Sequence, residues 1–552
     1  VFMTTTVIHN AKVYLECERC AEGRFAEAVL VRDDKIAEVG TNKEILSSAP
    51  NAEKIDAQGA LLLPGFNDSH LHLHDFGRNL HRIDAHGVTS IDELVERGRA
   101  LIDRMKPPKG SVVVGSGWNQ DLFTSDKRLP NRYDMDRISA EHAVIVSRVC
   151  GHSLCCNTLA MKMAGITPNS RYATSGQIEL DENGEPLGIF GEGMALYKLR
   201  TIVPPYNQEQ IEEQLLYAMR HALANGLTSV GSRDVIEGNY QNIVDAYIKL
   251  FTEHDLHLRV NLQCTIQKDE VFNEFVKRGW ITKSSMGHPY LTMGASKLFA
   301  DGSLGSRTAF MREPYHDDPS TRGFQTHSQE EMDALVRKNH ENGFQVIVHA
   351  IGDAAIDEVL TAFEKAIGNS ANGGHNNDLR HGIVHCQITD LPLLQRMAHN
   401  DILAFMQPIF LTNDLYMIEN RVGKELASTS YAHATMKKLG IKTSYGTDSP
   451  VESMSPIECI DCAVNRHDVA NGYPPEGFYP GECVDVYTAV DAYTAGSAYA
   501  EFAEDRKGRI KPGFLADMTL LDRDIFSIPR KEIRTAKILW TMVGGKMAYR
   551  AD

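Results

Sequence analysis

Residues 61–74 read LLLPGFNDSHLHLH: three leucines, a Pro-Gly break, then histidines at 70, 72 and 74. Side chains of an extended strand alternate between faces, so His70, His72 and His74 are expected to project to one side. Two imidazoles spaced this way can hold one divalent cation, since neutral imidazole nitrogen is a favoured donor for zinc and its first-row neighbours. A strand edge that merely contains histidines has the same spacing, so the motif needs partners elsewhere. Lys297, Asp301, His349, His385 and Asp448 each lie at or near the close of a short apolar run. Imidazole nitrogens with a carboxylate oxygen are a zinc-type donor set. Two CxxC pairs, Cys17/Cys20 and Cys459/Cys462, could together form a four-thiolate zinc site. The helical pattern around Cys459 and Cys462 reads instead as two small core residues at i,i+3, and the first pair as incidental in a polar loop.

These side chains need a scaffold that brings distant segments to one face. From residue 208 helical and apolar stretches alternate. The stretches 227–230, 258–262, 295–300, 345–349, 382–385, 402–406 and 443–446 read as strands, and helical patterns such as 209–224, 240–254 and 329–342 separate most of them. With the opening stretch as the first strand, this is the sequence form of an α/β (β/α)8 TIM-type barrel. Barrel enzymes place their chemistry at the C-terminal ends of the strands. There the pattern puts His70 and His72 (first strand), Lys297 with Asp301 beyond it (fourth), His349 (fifth), His385 (sixth) and Asp448 (eighth). Short alternating strands at both ends of the chain predict a small β-sandwich built from 1–63 with 506–552. The barrel is then expected over 64–505, with an inserted subdomain over 76–207 near its mouth. That insertion carries two apolar strands, a helix over 157–164, and a hairpin over 177–190 turning at Glu182-Asn183-Gly184.

The bulk composition narrows the partners. The chain has 552 residues, a formal charge of −16 and 42% apolar residues, with a mean hydropathy of −0.29, the profile of an ordinary globular protein. The negative balance argues against nucleic acid or an anionic membrane as partner, because phosphate recognition rests on clustered Lys and Arg. No window approaches the roughly 18 uninterrupted apolar residues of a membrane span. The first residues lack the basic-then-apolar pattern of a secretory signal. Ten widely spread cysteines read as reduced thiols in a cytoplasmic protein.

Several stretches carry a resemblance over nearly the whole chain. GFNDSHLH at 65–72, VHAIGD at 348–353, RHGIVHC at 380–386 and GTDSP at 446–450 resemble the amidohydrolase superfamily of metal-dependent hydrolases. SKLFADGSLGSRTA at 296–309 and GHSLCCN at 151–157 resemble the branch that includes N-substituted formamide deformylase. The resemblance implies two divalent metals per chain, zinc foremost. His70, His72 and Asp448 would hold the more buried ion, His349 and His385 the more exposed one, and an N6-carboxylated Lys297 would bridge them. It implies hydrolysis of a non-peptide C–N bond in a small N-acyl or N-formyl amide by metal-activated hydroxide, with Asp448 as general base and then acid. A homodimer is a family-level expectation. Hydrolytic deamination or ring opening of a heterocycle is the alternative chemistry, and a catalytically inactive scaffold or regulatory protein a third reading. Trp118, His152, Asp301 and Arg307 are expected to touch substrate, with His74, Asn157, Met406, Gln407 and Phe410 as further neighbours. For Arg307 a loop-fixing salt bridge is the competing reading, and for His74 a packing role.

Overall fold

A computed structural model describes residues 5–18, 22–148, 153–172, 176–177, 179–191, 194–254, 256–368 and 377–551. The chain divides into two compact units, residues 1–73 with 218–552, and residues 74–217.

The first unit holds the barrel. Its strands are β1 (Phe66–Leu71), β2 (Leu227–Ile236), β3 (Arg259–Thr265), β4 (Leu291–Phe299), β5 (Val346–Ala350), β6 (Gly382–His385), β7 (Leu403–Met406) and β8 (Thr443–Tyr445). They pair in chain order, every pair parallel. Strands such as GIVH and LAFM are buried throughout, as expected of a parallel sheet covered on both faces. Beyond β8 the ring closes on β1 through the chain itself: Asp448 N–H donates to the His70 carbonyl at 2.9 Å and His72 N–H to that of Ser449 at 2.8 Å. Gly446 is required at this seam, because a Cβ there would lie 2.6 Å from Asp68 Oδ1 and 2.7 Å from the His70 nitrogen.

The helices between strands begin and end on local signals. Ser328 opens Gln329–Glu341 with a capping box to Glu331, Asp390 caps Leu391–His399, and Gly279 ends Asp269–Arg278 in the left-handed region. Register then fixes depth. Phe299 lies opposite His349, and Ala350 opposite His385, so both histidines sit at the C-terminal rim. Lys297, opposite Ile347, lies two residues deeper.

The chain ends build a two-sheet sandwich, as the alternating texture predicts. One sheet has four strands from residues 5–56; the other has six, in which Met518–Leu521 pairs antiparallel with Leu61–Pro64. Val29, Val31, Leu62, Met518, Leu520 and Trp540 fill the space between them. Arg259 of β3 reaches Asp517 with two hydrogen bonds of 2.6 and 3.0 Å, joining barrel to sandwich.

The second unit has a five-stranded sheet of its own, with Val112–Trp118 and Ala143–Arg148 at its centre. Helix Ile91–Met105, capped by Ser90, packs its apolar face against this sheet. Among the described residues no helix is long and apolar enough to cross a membrane.

One expectation is corrected. The strand stops at Leu71 and a short helix, Leu73–Gly77, begins two residues later, so His74 does not continue the alternation of His70 and His72. Leu73 N–H is taken by Ser232 Oγ at 2.8 Å rather than by a neighbouring strand. His74 Nε2 instead meets Gln214 Oε1 at 3.0 Å, within the second unit.

Candidate metal centre

At the C-terminal rim His70 Nε2 lies 3.4 Å and His72 Nε2 3.0 Å from Asp448 Oδ1. One donor atom from each of the three falls within 4.8 Å of the others. The rings of His70 and His385 are 6.3 Å apart and those of His385 and His349 4.5 Å apart, which carries the cluster round from β1 to β6 and β5. Phe410 stacks on His385 at 5.4 Å, and Lys297 Nζ lies 4.2 Å from the Phe299 ring centre.

Hydrogen bonds fix which nitrogen each histidine offers. Gln263 donates through Nε2 to the Ser69 carbonyl at 2.9 Å, which turns its Oε1 to within 2.6 Å of His70 Nδ1. An amide oxygen only accepts, so His70 Nδ1 carries the proton and Nε2 keeps its lone pair. Gln407 repeats the arrangement for His385, donating to the Phe405 carbonyl at 3.1 Å and accepting from Nδ1 at 2.8 Å. His349 is the other way round. Its Nε2 donates to the Gly302 carbonyl at 2.8 Å, leaving Nδ1 with the lone pair.

Electrostatics favour the same protonation states. Burial holds His70 and His385 well below the ordinary imidazole range and brings His349 down to about 4. These rings are neutral, as metal ligands must be. Burial works against ionised Asp448, but its hydrogen bond with His72, foremost, holds it below the usual carboxylate range. Burial lowers Lys297 to about 7, against the opposing pull of Asp448 and Asp301, and no carboxylate among the described residues lies within ion-pair distance of it. A carboxylate oxygen 3.0 Å from an imidazole nitrogen needs a proton or a cation between them. Buried, neutral, pre-oriented imidazoles beside an ionised carboxylate fit a divalent metal.

The backbone is strained where the ligands leave their strands. His385 (φ 73°), Cys386 (φ 45°) and Asp448 (φ 56°) all occupy the left-handed region, which non-glycine residues rarely adopt. Strain of this kind persists where surrounding structure holds it, and it concentrates at functional sites.

The remaining expected residues fall in different places. Asp301 is buried, and its carboxylate accepts N–H from Gly352 at 2.8 Å, Phe310 at 2.9 Å and Ile351 at 3.1 Å, with His349 Nε2 3.4 Å away. It organises the loop beneath His349 rather than facing an open pocket, and burial lifts its pKa to about 7. Arg307 makes two bonds to Asp317, of 3.1 and 3.0 Å, which is the loop-fixing salt bridge. Trp118 is wholly buried in the second unit's core, its indole N–H donating to the Val146 carbonyl at 2.9 Å. Asn157 caps helix Thr158–Met163, and Met406 is buried. His152 and Cys20 lie outside the described residues. Cys459 and Cys462 are buried free thiols whose S–H groups point at the carbonyls of Gly446 and His467.

Sequence reasoning missed Gln263 and gave Asp68 no role. Asp68 accepts from His70 N–H at 3.1 Å, Thr447 N–H at 3.0 Å and Thr447 Oγ1 at 2.7 Å, binding β1 to the segment that carries Asp448. A glutamine inside the strand RVNLQCT was the available signal, since a buried polar side chain requires a partner.

Comparison with known proteins places this geometry. Residues 53–549 match the family model described as "Amidohydrolase family". The chain is 34% identical over 543 residues to YtcJ of Bacillus subtilis, covering 98% of each. It is 28% identical over 546 residues to the N-substituted formamide deformylase of Arthrobacter pascens, covering 96% of each. Among solved structures, a metal-dependent hydrolase from Pyrococcus furiosus superposes with a TM-score of 0.75 at 30% identity, over 95% of this chain and all of that one.

Proposed function

The chain belongs to the amidohydrolase family, and from that membership we propose that it hydrolyses a non-peptide C–N bond, in a small N-acyl or N-formyl amide. The convergence of His70 Nε2, His72 Nε2 and Asp448 Oδ1 at the barrel rim carries this reading. Similarity to a formamide deformylase over 96% of both chains supports an amide as substrate class.

His70, His72 and Asp448 would hold one ion and His349 with His385 a second, zinc being favoured by the nitrogen-rich donor set. When bound, such a metal supplies a Lewis acid that lowers the pKa of a water to roughly 7 and polarises an acyl oxygen. Lys297 would stand between the two ions as a carbamate. Its amine, with a pKa of about 7, is roughly half free of its proton at neutral pH and mostly so at mildly alkaline pH. The nitrogen lone pair then forms a bond to the carbon of carbon dioxide and a proton is released. Asp448, ionised and beside the cluster, would take a proton from the attacking water and return it to the leaving nitrogen. Gln263, Gln407 and the Gly302 carbonyl hold the imidazoles in the tautomers this requires. Cys155, Cys156, Cys264, Cys386, Cys459, Cys462 and Cys483 are free thiols, which supports a reducing, cytoplasmic setting.

The test is a product assay on N-substituted formamides and N-acyl amines alongside amino-heterocycles. Release of formate or another carboxylic acid with the free amine is expected. Ammonia released from the heterocycles alone would replace amide hydrolysis by deamination.

A further inference from the structure

The second unit contains a pocket of about 350 Å³ that the reading above does not use. Leu101, Ile102 and Met105, from the last turns of helix Ile91–Met105, form one side. Val112, Tyr206 and His81 also line it, the rings of His81 and Tyr206 lying 6.3 Å apart. Its size falls in the range of about 300–1,000 Å³ typical of small-molecule sites, which are mostly apolar with a few placed polar groups.

His81 is the placed polar group. Its side chain is 7% exposed, and its Nε2 makes no well-aligned hydrogen bond. The opposite nitrogen, Nδ1, accepts from Gln214 Nε2 at 2.8 Å, and Gln214 Oε1 faces His74 Nε2 at 3.0 Å. A neutral imidazole that accepts at Nδ1 carries its proton at Nε2, so His81 presents a buried N–H donor. The Glu213 carboxylate lies 3.3 Å from that atom and is 55% exposed; it is the acceptor that a ligand carboxylate would displace into solvent. A buried donor met only at poor geometry gains from an arriving acceptor of better alignment. Two cations are close by. Lys106 is part of its lining, and Arg104, which donates to the Leu80 carbonyl at 2.9 Å, acts electrostatically on His81.

We propose that this pocket binds a small apolar monocarboxylate, its tail along the Leu101–Met105 and Val112 walls and its carboxylate accepting from His81 Nε2–H. The site lies wholly within the second unit and does not depend on the chemistry assigned to the barrel.

Calorimetric titration of the full chain with octanoate tests this, with octylamine as the probe of equal tail and opposite charge. Saturable one-site binding of octanoate is expected, with octylamine at least about tenfold weaker. Met105→Trp places a ring at the pocket's edge, where Met105 is 37% exposed and so tolerant of change, and should abolish that binding. His81→Phe removes the donor and should weaken octanoate about tenfold, the worth of one charge-assisted hydrogen bond. Octanoate binding that does not saturate, or that Met105→Trp leaves unchanged in a protein with an unaltered circular dichroism spectrum, would mean adventitious apolar binding only and overturn the site. Octylamine binding as tightly as octanoate would overturn the ligand class.

Discussion

At the scale of single residues, the centre depends on side chains that never touch a ligand. Gln263 and Gln407 each spend one amide nitrogen on a backbone carbonyl, which aims the amide oxygen at a histidine. Replacing either with leucine keeps the volume but frees the ring to adopt the other tautomer. Affinity for zinc, read by competition with a chelator, should fall about 10- to 100-fold, the usual effect of losing such a partner. Asp448→Asn keeps the shape but loses the charge and the proton acceptor. Turnover should drop by about a hundredfold or more while the thermal unfolding curve is retained, and near-normal activity would contradict the proton-transfer role. Lys297→Met should eliminate a carbamate signal in the ¹³C spectrum of protein equilibrated with labelled bicarbonate. His70, His72, His349, His385, Lys297 and Asp448 could be picked out of the sequence because few residue types bind metal and each ends or nearly ends an apolar run. The commitments of Arg307 to Asp317 and of Trp118 to Val146 could not, because their partners are fixed by tertiary contact.

At the scale of elements, strands such as GIVH and LAFM were legible because a doubly covered parallel strand reads as a short, mostly apolar run, and Ser90, Asn157 and Ser328 announce the helices they cap. The reading failed where a side chain interrupts a ladder. At Leu73 the Ser232 hydroxyl receives the backbone N–H and the chain turns into a helix, carrying His74 out of register. Neither could the left-handed φ angles at His385, Cys386 and Asp448 be foreseen, since none of these residue types demands them. The seam between β8 and β1 is the least tolerant point. Gly446→Ala would force a methyl to within 2.6 Å of Asp68 Oδ1. Overpacking of that kind typically costs about 1–3 kcal/mol. Urea unfolding should show the loss, with weakened metal binding alongside it, because the same shift moves His70 and Asp448. Unchanged stability in this variant would show that the seam is not tightly packed.

At the scale of the molecule, the sandwich assembled from both chain ends was visible in the alternating texture of the termini, whereas the pairing of 518–521 with 61–64 is a long-range fact with no local signature. That pairing delivers the chain into β1, immediately ahead of the metal-binding histidines. Arg259 and Asp517 fasten the same joint from the other side. Asp517→Ala would leave a mostly buried guanidinium without its partner, a change that costs up to about 3 kcal/mol, and the melting temperature should fall accordingly. A melting temperature equal to that of the parent chain would show that the pair does not hold barrel to sandwich. The proposed reaction requires His349, His385, His70, His72 and Asp448 at the rim and Lys297 below it to act as one centre, and metal analysis tests that most directly. Protein purified after zinc-supplemented growth should contain two equivalents of divalent metal per chain, and a variant with both His70→Ala and His72→Ala should lose the inner equivalent. A parent chain that binds no metal under those conditions would contradict the account.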